Sequence, residues 1–473
     1  MYNLKIYAGG HFITSPSIHE IKNPFNNEII GKTYLARYEQ LDDAIEKALK
    51  VATELKKLPS YVKYKILKEI AVELQQNRED MARLICLESA KPMRYSLGEV
   101  DRAIQTFTIA AEESKRLPRE YIDLDWTEAG KDKEGLIKYF PIGLVAGISP
   151  FNFPLNLAVH KIAPAIAAGC PIILKPSSST PLSTLNLAQI IDKTELPKGA
   201  VSIIPMDRET GNHLVTDERI KLLSFTGSDV VGWKMKKEAG VKKVILELGG
   251  NAGVIVAATS NIDEAVKRCV VGGYAYSGQV CIHAQRIYVQ EKVFKEFLDK
   301  FIAKVKNLKV GDPLDPETDI SAMIDEDNAI RVEQWVNESV EGGAKILAGG
   351  ARKGSYYPPT VLSQTHNEMK VCALEVFGPV VTLEPYQSLE DALNHINTSK
   401  YGLQAGIFTN DINEIDQAFA SLDVGGLILN DVPTFRVDHM PYGGVKNSGL
   451  GREGVKYSIL DMLEAKILVK NKK

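Results

Sequence analysis

The sequence predicts an α/β protein: two doubly wound αβα domains with a small β element beside them. Three observations carry this. From residue 141 onward, short β-rich runs alternate with helical segments, which means βαβ units and parallel sheets buried on both faces. The alternation restarts after Gly249 and Gly250, so one sheet ends and another begins near residue 250. At 473 residues the chain is also too long for a single ordinary core.

In chain order, the first 118 residues read as a strand hairpin ("LKIYAGGHF" with "EIKNP") followed by amphipathic helices over 38–58 and 61–85, whose apolar residues recur at three and four. The first sheet takes "GLVAGIS" (143–149), "PIILK" (171–175), "VSIIP" (201–205), "KLLSFTG" (221–227) and "KVILEL" (243–248). The second takes "GVIVA", "RIYVQ", "KILAGG" and "GLILN", with "EAVKRCVVGGYAY" and "EKVFKEFLDKFIAKVKNL" as helices between them. The segments 119–138 and 455–473 read as extended pieces outside both sheets. Exposed strand edges invite pairing with another copy, so these pieces are assigned to an oligomerisation element. The expected domains are thus 1–118 with 139–249, then 250–448, and finally 119–138 with 455–473.

Composition narrows the function. With 57 basic against 60 acidic residues the formal charge is -3, too small a field to argue for nucleic acid or a membrane surface. A small molecule is the expected partner. The five cysteines, Cys86, Cys170, Cys269, Cys281 and Cys372, are scattered without a CxxC pair or a Cys/His cluster, so neither a disulfide framework nor a metal is expected. Met1 leads into "MYNLKIYAGGHF" without a basic stretch and apolar core, and no apolar run approaches a bilayer span. A reducing, cytoplasmic compartment is expected.

Cys281 differs from the other cysteines. It lies in "YSGQVCIHAQR", among small residues, on a turn where backbone N–H groups can lower a thiol's pKa and bind a developing anion. Cys86, Cys170 and Cys269 sit in or next to apolar periodic runs, as structural cysteines do. A cysteine hydrolase needs a histidine base, and the offset of His283 sends its ring along the chain and away from the sulfur. Glu247 ends the last strand of the first sheet, where ligands meet a parallel sheet, followed by two glycines. It reads either as a catalytic carboxylate or as a capping one. "SFTGSDVVG" (224–232) is a strand, a glycine turn and a helix start, a weak phosphate-binding signal without the three-glycine fingerprint. "LKPSSST" (174–180) puts Lys175 at a strand's carboxyl end before four hydroxyl residues, fit for a ribose or 2′-phosphate or simply solvated. Asn152, between prolines and aromatics in "SPFNFPLN", suits either an oxyanion donor or a helix cap.

Taken in order from residue 149 to residue 453, "SPFNFP", "LKPSSSTP", "FTGSDVVG", "LELGGN", "GQVC", "EVFGPV" and "PYGGVKNSGLGRE" resemble the aldehyde dehydrogenase superfamily over almost the full length. The C-terminal motif is similar to those of lactaldehyde, glyceraldehyde and phosphonoacetaldehyde dehydrogenases. The resemblance implies a Rossmann variant for the first domain, and a non-acylating reaction. In it Cys281 is the nucleophile, the Asn152 amide and Cys281 N–H hold the oxyanion, and Glu247 activates water against the thioester. It further implies NAD or NADP held by Ser149, Pro150, Phe151, Lys175, Ser177, Ser178, Gly211, Phe225, Thr226, Gly227, Ser228, Leu248, Gly249, Glu375 and Phe377. Phe151, Asn156, His160, Ile282, Arg436 and Tyr442 are implied to face the aldehyde, and a homodimer or homotetramer is implied.

Two departures bear on specificity. Ser178 stands where many NAD-preferring members have a glutamate that repels a 2′-phosphate, so NADP is expected to be accepted. Asp207 stands near the adenine side, where a glycine is common, and works against that. Arg436 is often aromatic in members taking long apolar aldehydes. An arginine reads carboxylate or phosphate by its planar fork, which with Asn156 and His160 suggests a short polar aldehyde. The other reading is that Arg436 holds its loop through backbone carbonyls or Asp438. The alternatives for the whole protein are a CoA-acylating dehydrogenase and a cofactor-independent cysteine esterase or thioesterase. Bulk at Gly278 is expected to impair turnover more than folding.

Overall fold

The structure, a computed structural model, describes residues 1–472. The described residues form two large sheets, two sheets of three strands and one of two. In the first sheet the parallel strands run Lys243–Glu247, Ile220–Thr226, Leu144–Ile148, Ile172–Lys175, Val201–Ile203. Leu144–Ile148 comes first in sequence yet lies in the middle, so the strand order reverses there and a crevice opens beyond its carboxyl end. Ser149–Leu155 fills that position, and Lys175, Thr226 and Glu247 end on the same edge.

In the second sheet the order is Lys345–Ala348, Thr360–Ser363, Val380–Tyr386, Ala284–Gln290, Ala252–Val256, Gln404–Phe408, Gly426–Leu429, parallel except for the first pair. Gly449–Leu450 returns from the C-terminal side to pair with Leu246 and Glu247, which ties the late segment to the first sheet. Helices bury both faces of each large sheet. Asn156–Ala168 and Leu182–Asp192 pack into one core with the helices Ser60–Gln76, Arg78–Ser89 and Met93–Ser114.

Several expectations are corrected. "LKIYAGGHF" makes a hairpin by itself, Ile6–Ala8 against His11–Ile13, turning through Gly9 and Gly10, both at positive φ. Its intended partner "EIKNP" instead joins a separate sheet with Ile29–Tyr34. The long helix over 61–85 is two helices, broken at Asn77, where ψ of 19° leaves the helical well. One of the three-stranded sheets pairs Arg119–Asp123 with Lys133–Pro141, and Lys133–Pro141 with Leu463–Asn471 over nine residues. The strand therefore runs three residues past the expected boundary at 138. Val455–Asp461, placed in the extended piece by sequence, is a helix, because Val455 and Ile459 fit the first domain's core. No helix among the described residues is long and apolar enough to cross a membrane.

Candidate active site

Two cavities meet at Cys281. The larger, of 540 Å³, lies beyond the carboxyl end of the first sheet and has Pro150, Phe151, Gly227, Leu248, Gly249 and Phe377 among its walls. The smaller, of 60 Å³, is lined by Phe153, Leu157, Ile282, Arg436, Tyr442 and Glu453 among others. Cys281 and Glu247 line both.

The thiol is placed by an unusual turn. Tyr276, Ser277 and Gly278 all have positive φ, at 49°, 53° and 68°. A Cβ on Gly278 would sit 2.1 Å from the Gly378 carbonyl oxygen, so this glycine is required by backbone packing. Against the expectation that turnover would suffer more than folding, bulk at Gly278 meets the backbone and bears on folding directly. Gly250 is required in the same way, since a Cβ there would lie 2.2 Å from the Cys281 carbonyl oxygen. The sulfur shares a hydrogen bond with the Tyr442 hydroxyl at 2.9 Å. Burial pushes the thiol up to about 11, although Tyr442 and the Arg436 charge pull the other way. Cys170, buried in the core, also reaches about 11 through burial. Burial thus works against the expected activation of Cys281, and access to two cavities is what sets it apart from the other cysteines. All five cysteines are free.

Glu247 ends its strand with its side chain buried, and neither carboxylate oxygen has a hydrogen-bond partner among the described residues. Burial first, and the Glu453 charge second, push it well above the usual carboxylate range. Asn152 is buried, and its Nδ2 donates to the Gln279 carbonyl at 2.9 Å, which leaves one N–H of that amide for another acceptor. His283 is absent from both cavity walls. Its Nε2 lies 2.8 Å from the Gly273 carbonyl oxygen, and burial holds its pKa at about 4.

The aldehyde side differs most from expectation. Asn156 and His160 do not line the smaller cavity. His160 Nε2 lies 2.7 Å from Asp438, and Asn156 Nδ2 donates to the same carboxylate at 3.4 Å while its Oδ1 accepts from Thr106 at 3.3 Å. The cause is helix phase. Glu99 accepts the N–H groups of Leu155 and Asn156 at the helix start, which fixes the rotation so that Leu157 faces the cavity while Asn156 and His160 share another face. Phe151 belongs to the larger cavity alone, where it stands edge-on to Phe377 with centroids 5.7 Å apart. Ile282, Arg436 and Tyr442 do face the smaller one.

Arg436 donates to Glu453 at 2.9 Å, and its guanidinium lies 3.7 Å from the Tyr442 ring centroid. Its acceptor is Glu453, whereas Asp438 is taken by Arg102 at 2.7 Å and by His160. Lys161, fully buried, donates to Glu453 at 3.3 Å and to Thr226 at 2.7 Å. Burial opposes ionisation of Glu453, but Lys161, His160 and Arg436 prevail and hold it at about 2. Sequence reasoning missed Arg102, Lys161 and Glu453. One signal existed, a lysine inside the otherwise apolar "NLAVHKIAPAIAA". Glu453 stands in the quoted "GLGRE" but was given no role, and the helix carrying Arg102 was not assigned.

Two observations of the larger cavity, and a third at Lys175, which ends a strand on the same side of the sheet, fit a dinucleotide. The cavity's volume suits a ligand of that class. The Gly249 position is closed to any side chain, because a Cβ there would lie 2.3 Å from Glu375 Oε2, and Glu375 accepts the Gly250 N–H at 3.0 Å. Lys175, whose pKa burial lowers, has no hydrogen-bond or ionic partner among the described residues, so its ammonium suits acceptors such as ribose hydroxyls. Thr226, Gly227, Ser228 and Leu248 line the cavity. Lys175, Ser177, Ser178 and Gly211 lie outside its wall, with Gly211 against the Lys175 stem. Ser149 and Phe225 are buried and do not line it. The Phe225 ring fills the space a Gly227 side chain would take, a supporting place in contrast to the expected contact.

A doubly wound sheet with a nucleotide-sized cavity that opens onto a thiol and an unpaired carboxylate has the frame of a nucleotide-dependent oxidoreductase. The chain belongs to the aldehyde dehydrogenase family, whose model matches residues 12–468, and it is an NAD(P)-dependent enzyme of that family. It is 42% identical over 99% of its length to the whole of a lactaldehyde dehydrogenase of Methanococcus aeolicus. It is 40% identical to a 3-sulfolactaldehyde dehydrogenase of Priestia megaterium, over 98% of each chain. Among solved structures, an aldehyde dehydrogenase of Physcomitrella patens in complex with the reaction product succinate superposes with a TM-score of 0.98 at 44% identity, covering 100% and 98% of the two chains. A glyceraldehyde-3-phosphate dehydrogenase of Methanocaldococcus jannaschii complexed with NADP gives 0.92 at 38% identity, covering 96% and 99%.

Proposed function

We propose that this enzyme oxidises a short polar aldehyde, lactaldehyde-, glyceraldehyde- or phosphonoacetaldehyde-like, to its acid through a cysteine thioester. The observation that carries the proposal is the 60 Å³ cavity, which leaves room at Cys281 for a small molecule and has the cations Arg102 and Arg436 in its wall. A long aldehyde does not fit that volume. Relatives named for lactaldehyde and 3-sulfolactaldehyde support the class.

In this reading the Cys281 thiolate adds to the carbonyl carbon, and the resulting oxyanion rests on the free N–H of the Asn152 amide and the Cys281 N–H. NAD or NADP, held in the larger cavity beside Glu375 and Phe377, would supply a hydride acceptor for that carbon. Glu247 then takes a proton from water, the hydroxide displaces Cys281 from the thioester, and the acid leaves. Its unpaired, raised carboxylate supports a role as base at moderate pH. Lys175, Ser177, Ser178, Glu375 and Phe377 are assigned to the nucleotide, and acceptance of NADP rests on Ser178. The absence of histidine from the walls of both cavities speaks against the cysteine hydrolase. A homo-oligomer is inferred from the Leu463–Asn471 edge strand, which exposes Ile467, Leu468 and Val469, and a cytoplasmic setting from the free thiols.

The test is a panel of short aldehydes with NAD and NADP, with and without CoA, followed by absorbance of the reduced cofactor. Acid formation without CoA is expected. A product that appears only as the CoA thioester refutes the hydrolytic route, and turnover without any dinucleotide refutes the class.

A further inference from the structure

The loop carrying Asn152 and the turn carrying Cys281 come from different sheets, yet an oxyanion site needs them in fixed register. One direct bond joins them, from Asn152 to the Gln279 carbonyl. A second junction lies deeper. Phe153, next to Asn152, and Tyr276, in the strained turn before Cys281, meet edge to face with centroids 6.3 Å apart. The Lys91 ammonium sits between them, 3.8 Å from the Phe153 centroid and 4.5 Å from that of Tyr276. Lys91 is fully buried, and Ala90 before it adopts φ of 53° at the end of the helix Arg78–Ser89. Its ionic partner is the fully buried Glu99.

Glu99 extends the junction. Its other oxygen accepts the N–H groups of Leu155 at 2.9 Å and Asn156 at 3.1 Å, which closes the Asn152 loop from behind. The Tyr276 hydroxyl donates to the Ser89 carbonyl at 3.3 Å, tying the cysteine turn to the same helix end. A desolvated cation between two rings attracts both, and an apolar side chain of equal size would not. Burying this ion pair is costly for stability, so a merely structural role would be filled as well by neutral groups.

We infer that Lys91 is a positioning residue for catalysis: its cation, held by Glu99 and clasped by Phe153 and Tyr276, sets the spacing between the Asn152 amide and Cys281. The inference rests on the roles proposed above for those two residues.

The test uses the full-length enzyme with the double substitution Lys91→Met and Glu99→Gln, which removes both charges and keeps an amide oxygen for Leu155 and Asn156. Expected is a fall in kcat of about tenfold to a hundredfold, as for a small misplacement of reacting groups, with KM for the aldehyde within about threefold. Alkylation of Cys281 by iodoacetamide forms no oxyanion, so its rate should stay within about twofold of the parent. Tyr276→Leu removes one ring and leaves the ion pair; it should show the same pattern in smaller degree, and it decides the matter by the same criteria if the double variant does not fold. Unchanged kcat overturns the inference, and so does a parallel loss of turnover and alkylation. Cys281→Ala and Asn152→Ala run beside them, and turnover retained in either would refute the parent roles in a way visible without Lys91.

Discussion

Both cavities are lined mainly by apolar side chains and share Cys281 and Glu247, but the smaller adds Arg102, Arg436 and Glu453, while the larger adds glycines and the charges of Asp229, Arg331, Glu375 and Lys400. Charges on the larger side are held at its edge, as in the pair of Lys400 with Asp229, or by backbone, as Glu375 is by Gly250. On the smaller side they bind one another: Arg436 and Lys161 on Glu453, Arg102 and His160 on Asp438. A surface of glycines and apolar rings recognises shape and tolerates a ligand that comes and goes. A set of buried ions must be satisfied even when the cavity is empty, so it sets its own geometry and leaves Glu247 as the group without a partner.

The sharpest way to break this division is at the thiol, one of the groups both sides share. Cys281→Ala should cost at least about 10⁴-fold in turnover with the melting temperature unchanged, because the nucleophile carries the chemistry and little of the packing. Glu247→Gln should act on one half-reaction: a single burst of reduced cofactor, then steady turnover slower by about 10²-fold to 10³-fold. A uniform loss with no burst would mean that Glu247 serves the first step. Gly278→Val probes the junction itself and should destabilise the protein by about 3 kcal/mol or more, given its positive φ and the Gly378 carbonyl. Thermal or urea unfolding checks it, and unchanged melting would show that the turn can relax.

The thiol's titration comes next. With its pKa raised to about 11, Cys281 is protonated at neutral pH, and the thiolate fraction grows roughly tenfold per pH unit up to that value. Alkylation of the free enzyme should therefore keep rising past pH 9, and a plateau near pH 8 would show an activation that the resting geometry lacks. The smallest effect is expected farthest from the sulfur. Ser178→Glu should shift the kcat/KM ratio of NADP to NAD downward by about tenfold through repulsion of the 2′-phosphate. No fall in NADP use would refute the argument from Ser178.

The same division explains what the sequence revealed. The cofactor side is made of strand ends and the turns after them, so "LKPSSSTP", "FTGSDVVG" and "LELGGN" mark it locally, each on one strand. The β-rich strands of the first sheet were readable for the same reason, whereas Gln404–Phe408, small and glycine-containing, carried no such mark. The aldehyde side joins Arg102, Lys161, Asp438 and Glu453 from elements far apart in the chain, and no local pattern announces their meeting. Asn156 and His160 were misplaced because their direction depends on Glu99, a residue of another helix. Motif position gave their address in the chain but not the rotation of the helix that bears them.

The return of Gly449–Leu450 to the edge of Lys243–Glu247 has a consequence in time. A ribosome delivers the chain from its N-terminus, and domains generally fold as they emerge. The first sheet can assemble its parallel strands early, yet the edge beside Glu247 stays open, and Glu453 is missing, until the segment past residue 449 has been made. Lys133–Pro141 waits longer still for Leu463–Asn471. A nascent chain stalled before that point would hold the thiol and the nucleotide crevice without the ionic wall that shapes the aldehyde cavity, so competence for turnover arrives late in synthesis and all at once.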